Sequence, residues 1–123
     1  MRILLVYTED TDLQSFKDIL EQHADIELVE NHDTSSALQM IKDAKVDAVA
    51  VGEQLADMSG IEFVEALVKV NPFVNTALSS ALPPRDYHEA TEGQGVLVQL
   101  AVQPGKSDAE LFVEKLKKVA SLL

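Results

Sequence analysis

Five short runs of almost unbroken apolar, β-branched-rich sequence, separated by segments with helical spacing, constrain this chain more than any other feature. The runs are Arg2–Tyr7, Ile26–Val29, Val46–Val51, Phe73–Ser79 and Val96–Val102. A strand with one solvated face alternates polar and apolar residues, whereas near-continuous apolarity requires cover on both faces and so predicts a parallel sheet. The intervening segments supply the cover. Thr11 with Gln14 reads as a capping box ahead of a stripe of Leu13, Phe16, Ile19 and Leu20. Asp33 is placed to cap a second helix with Ala37, Met40, Ile41 and Ala44 on its inner face. Ser59 with Glu62 opens a third that uses Ile61, Val64, Leu67 and Val68, and Asn71-Pro72 stops it. Pro83-Pro84 and Gly93 bracket a fourth helix with little apolar periodicity. Ser107 with Glu110 opens a fifth, where Phe112, Leu116, Val119 and Leu123 keep helical spacing. Five alternations of this kind predict a doubly wound α/β fold. No linker, repeat or low-complexity tract divides residues 1–123, so a single domain is expected.

Ligands of such sheets bind beyond the carboxyl ends of the strands, where strand order reverses. The residues just after each strand are therefore the candidates for chemistry. Composition narrows what that chemistry can be. The chain has no cysteine, which removes disulfides, thiolate metal sites and cysteine nucleophiles. With 21 acidic and 10 basic residues the formal charge is −11, which repels nucleic acid and anionic membrane surfaces. The longest apolar run, Ile3 to Tyr7, is too short to span a membrane or form a signal-peptide core. A cytoplasmic protein is expected.

At this point the chain resembles the response-regulator receiver domain over nearly its whole length. The most specific match is Val46-Asp47-Ala48-Val49-Ala50-Val51-Gly52, followed by Leu55 and Asp57-Met58-Ser59-Gly60. It is similar to the family's third strand, phosphoacceptor position and following turn. Ile3-Leu4-Leu5-Val6, Ala37-Leu38, Ser80-Ala81 and Gln103-Pro104 support it in order and spacing. The resemblance implies a five-stranded sheet of order 2-1-3-4-5, flavodoxin-like, with helices on both faces. It also implies a site built from two acids after the first strand and an aspartate after the third, which together hold magnesium. A hydroxyl after the fourth strand and a lysine after the fifth engage the phosphoryl oxygens.

Position by position, this sequence departs from that set. Gly52 stands at the phosphoacceptor position, Tyr7 and Thr8 at the acid pair, and Gln103 at the lysine. Leu100 replaces the family's switching aromatic, and Ser80 alone keeps its expected type. Glu9 and Asp10 would bring a carboxylate to the pocket only if the chain slipped by one or two residues, against the register of Phe16, Ile19 and Leu20. Asp57 reads as part of the turn before Ser59, not as a substitute acceptor. Magnesium binding is expected to be weak or absent, since this ion requires hard anionic oxygens, and no other cofactor is expected.

Other constellations are weaker. His23, His32 and His88 have no ligand spacing, Gly93 and Gly95 precede a strand instead of following one, and Ser80 has no histidine partner. Tyr87-His88-Glu89 is a candidate rim of the crevice. The resemblance places a docking face on the fourth helix, fifth strand and fifth helix, here Leu100, Lys115, Lys117 and Lys118. The leading expectation is a stand-alone, non-enzymatic pseudo-receiver of two-component phosphorelay signalling. It would bind a protein partner, or a second copy as a homodimer, without phosphorylation. Two alternatives are a receiver phosphorylated through shifted acids, and a sensor holding a small ligand among Ser80, Gln103 and Tyr7.

Overall fold

The structure, a computed structural model, describes residues 1–8 and 13–121. In chain order it contains β1 (Arg2–Val6), α1 (Gln14–Glu21), β2 (Glu27–Asn31), α2 (Thr34–Lys42), β3 (Ala48–Val51), α3 (Gly60–Val70), β4 (Asn75–Ser79), α4 (Pro84–Ala90), β5 (Val96–Leu100) and α5 (Lys106–Ser121). All pairings are parallel, in the expected order β2-β1-β3-β4-β5. One face carries Ile3, Leu5, Ala48, Ala50 and Ala77 against Phe16 and Leu20 of α1 and Phe112 and Leu116 of α5. The other carries Leu4, Val6, Val49, Val51 and Leu78 against Ile41 of α2, Phe63, Val64 and Leu67 of α3, and Tyr87 of α4. Two-sided burial is the physical reason for the continuous apolar strands.

The boundaries differ from expectation where a turn captures a backbone donor. Phe73 was expected to begin the fourth strand but is 90% exposed. Its N–H donates to the Asn71 side chain, so it belongs to the turn after α3. Val102 lies beyond β5 and is exposed, because the Ala101 N–H donates to Asp108 and turns the chain away from the sheet. β2 is an edge strand, starts one residue later than expected, and has no fully buried residue: Glu27 and Glu30 are exposed and Leu28, Val29 and Asn31 half-buried.

Two helix ends also need correction. Ala44 is exposed, not on the inner face of α2: its φ of 56° ends the helix in a left-handed turn. The N–H groups of Ala44 and Lys45 donate back to the carbonyls of Ile41 and Met40, which is a Schellman closure. At α5 the helix starts at Lys106, and no Ser107–Glu110 box forms. Asp108 accepts from the N–H of Gly105 at 3.0 Å, and Glu110 pairs with Lys106 at 3.8 Å. The caps at Asp33 and Ser59 form as expected, with Ser36 N–H and Glu62 N–H as donors. At α1 the N-cap is Leu13, with no side-chain capping bond, so Gln14 begins the helix and is not the third residue after a Thr11 cap; Thr11 itself and Leu123 lie outside the described residues.

Candidate functional site

The carboxyl edge of the sheet gathers the ends of β1, β3, β4 and β5. At β1, Tyr7 is buried and its hydroxyl donates to Glu30 Oε1 at 2.9 Å. Lys17 Nζ pairs with the same oxygen at 2.8 Å and lies 5.9 Å from the Tyr7 ring centroid. His32 packs edge-on to that ring, and its Nδ1 is 2.7 Å from the Tyr7 carbonyl oxygen. A carbonyl only accepts, so Nδ1 carries the proton. Burial, followed by the Glu30 carboxylate, raises the Tyr7 pKa above its ordinary value. Lys17 lowers that of Glu30, and Glu30 in turn raises that of Lys17. Tyr7 is therefore a neutral phenol just after β1, bonded to Glu30 of β2.

At β3, the Gly52 N–H donates to the Val6 carbonyl. A β-carbon there would meet Tyr7 Cβ at 3.4 Å and Val6 O at 3.6 Å, which are ordinary contacts. Crowding does not explain the missing side chain. Gly60 is different. A β-carbon on it would overlap the Gly52 carbonyl oxygen and come within 2.7 Å of Leu78 Cδ1. The Met58-Ser59-Gly60 turn thus rests against the end of β3, with Gly60 N–H donating to Glu53 O. Asp57 is exposed and accepts from the Thr34 hydroxyl, which ties this turn to the start of α2.

At β4, the Ser80 hydroxyl accepts from Leu82 N–H at 3.1 Å, so its oxygen serves the loop's own turn. At β5, Leu100 is 2% exposed and belongs to the interior, which removes it from the expected docking face. Gln103 is exposed, and Pro104 behind it is buried. Leu13, Phe16, Leu100 and Pro104 close over Gly52 and Ser79 and leave a cavity of about 10 Å³. That is space for about one water. Ser80, Gln103 and Tyr7, the groups of the small-ligand alternative, do not line this cavity.

The structure places Tyr7 against Gly52 and puts Gly52 and Leu100 on the lining of one small cavity, while Gln103 is exposed. Glu9 and Asp10 lie outside the described residues. Tyr87 does not rim the crevice: it is buried, and its hydroxyl donates to Val98 O, while His88 and Glu89 are exposed on α4. Among the described residues, no three histidine or acidic side chains converge on a common point. Among the described residues at the ends of β1 and β3, the positions that would hold magnesium offer no converging set of carboxylates. Tyr7 and Thr8 are neutral, Gly52 has no side-chain oxygen, and Asp57 is committed to Thr34.

Two residues that sequence reasoning passed over are structurally central here. The Glu53 carboxylate accepts from Ala81 N–H, joining the β3–α3 and β4–α4 loops. The Gln99 amide donates to the carbonyls of Ser80 at 3.1 Å and Leu82 at 2.9 Å. Glu53 had a signal, its place directly after a strand; Gln99 had one also, as the sole polar residue of its run.

No family model matches the sequence, and no curated protein matches it. Solved structures do. The receiver domain protein (CheY-like) of Methanospirillum hungatei JF-1 superposes with a TM-score of 0.80 at 22% identity, covering 99% of this chain and 98% of its own. A receiver domain protein of Clostridium thermocellum gives 0.78 at 18%, covering 99% and 98%. The response regulator domain of Thermotoga maritima CheB gives 0.76 at 19%, covering 96% and 94%. The chain has the fold of a CheY-like receiver domain.

Proposed function

We propose that this chain is a receiver-fold protein-interaction module of two-component signalling that works without phosphorylation and without catalysis. One observation carries the reading: Gly52 follows β3 with room for a β-carbon but no nucleophile, beside a small cavity of about 10 Å³. A phosphoryl group there would find no nucleophile at Gly52 and, among the described residues, no cluster of three acids or histidines to hold a metal beside it. The partner is a protein, because a charge of −11 disfavours nucleic acid and anionic lipid. The docking face lies on α5, where Lys117 and Lys118 are exposed and Lys115 is half-buried, and a second copy of the chain is the alternative occupant. The protein works in the cytoplasm.

Magnesium titration followed at backbone amides tests the metal half of this reading. No saturable shift at Tyr7, Thr8, Gly52 or Ser80 is expected at millimolar magnesium; saturation there would show that a carboxylate reaches the edge.

A further inference from the structure

The loop between β4 and α4 is held from two sides by side chains of the chain itself. From the β3–α3 loop, the Glu53 carboxylate takes the Ala81 N–H. From β5, the Gln99 amide spans the carbonyls of Ser80 and Leu82. Within the loop, the Ser80 hydroxyl takes the Leu82 N–H. Three consecutive residues on a largely exposed loop thus have their polar backbone groups engaged by partners brought from elements distant in sequence.

The helix after that loop has little else to hold it. α4 has seven residues, too few to be stable alone. Its N-cap is Pro83 with no side-chain capping bond, and Tyr87 is its one buried residue. The position of α4 therefore depends on Tyr87 beneath it and on the loop that enters it. We propose that Glu53 and Gln99 are positioning residues, a two-sided clasp that keeps loop 80–82 and α4 in one arrangement with no bound anion. Glu53 supplies the negative charge at the Ala81 N–H, so that donor is already engaged. This deepens the reading of a phosphorylation-independent module, but it stands on its own hydrogen bonds. A chain that took up phosphate would overturn the functional reading and leave the clasp intact.

Amide hydrogen exchange on the full chain tests it, with the wild type beside Glu53→Gln, Glu53→Ala, Gln99→Ala and the Glu53→Ala/Gln99→Ala pair. The Ala81 amide is expected to be protected in the wild type despite the exposure of its residue. In the double variant, exchange over residues 81–90 should rise at least tenfold while β1 and β3 amides stay within twofold. Glu53→Gln keeps an acceptor oxygen and is expected to fall between wild type and Glu53→Ala. It also carries the test if the double variant fails to fold. Unchanged exchange at 81–90, or a rise shared equally by β1 and β3, would overturn the proposal.

Discussion

Gly60 has no room for a β-carbon, whereas Ala44 carries one in a backbone conformation that disfavours it. Replacing Gly60 by alanine drives the new carbon into the Gly52 carbonyl oxygen and Leu78, and should cost at least about 2 kcal/mol. Ala44→Gly should act the other way. A left-handed non-glycine residue costs roughly 1–2 kcal/mol, and the freer unfolded chain returns about 0.4–1 kcal/mol of that. A net gain of about 0.5–1 kcal/mol is expected, seen as a higher urea midpoint at unchanged slope. The Glu30 cluster adds a pH dependence. Its pKa is lowered in the folded state, so its contribution is present above the ordinary glutamate value of about 4.3 and is lost as pH falls through the folded value. Tyr7 and Lys17 are raised, so their contributions are present below their ordinary values and fade as pH climbs through the folded ones. Glu30 is 41% exposed, which holds the effect of Glu30→Gln under about 1 kcal/mol at neutral pH. Urea unfolding of wild type and variant should differ at pH 7 and converge as pH falls below the lowered folded-state value of Glu30.

At the scale of elements, capping explains both what was legible in the sequence and what was not. Asp33 and Ser59 were readable because each is followed three residues on by the donor its side chain takes. At α5 two overlapping patterns compete, Ser107 with Glu110 and Gly105 with Asp108, and spacing cannot choose between them. Tertiary structure does, because Asp108 also receives the Ala101 N–H at the end of β5. Asp108→Ala should therefore cost about 1–2 kcal/mol, as loss of a cap does, and Ser107→Ala less than about 0.5 kcal/mol. Chemical denaturation of the two variants separates the readings, and equal losses would restore the Ser107 cap. The strand runs were legible for a different reason: both faces of β1, β3 and β4 are buried. Where burial is only partial, as at the edge strand β2, or a turn side chain captures a donor, as Asn71 does at Phe73, apolarity misplaces the boundary.

Over the whole molecule, the lack of a carboxylate at Gly52 and Tyr7 was readable in the sequence, because residue identity needs no geometry to notice. Side-chain direction was not. β5 skips Leu97 in its pairing with β4, and such a one-residue bulge changes which later side chains face inward. Leu100 consequently fills the interior in place of the docking face. Glu53 and Gln99 escaped for a related reason, since their partners are backbone groups of Ser80, Ala81 and Leu82 and leave no mark in those residues' identities. Introducing an aspartate should not bring phosphorylation: Gly52→Asp puts one carboxylate beside the apolar cavity lining of Leu13, Leu100 and Pro104. That variant is expected to stay unphosphorylated, and rapid labelling would show that Glu9 or Asp10 completes a metal site. At the docking face, Lys117→Glu with Lys118→Glu should weaken partner capture or self-association while shifting stability by about 0.5 kcal/mol or less. Sedimentation and binding unchanged by that reversal would move the face elsewhere. The most direct measurement is the intact mass of the wild-type protein after incubation with magnesium and acetyl phosphate. The unmodified mass is expected throughout, and a stoichiometric, acid-stable, base-labile phosphoryl adduct would contradict the account.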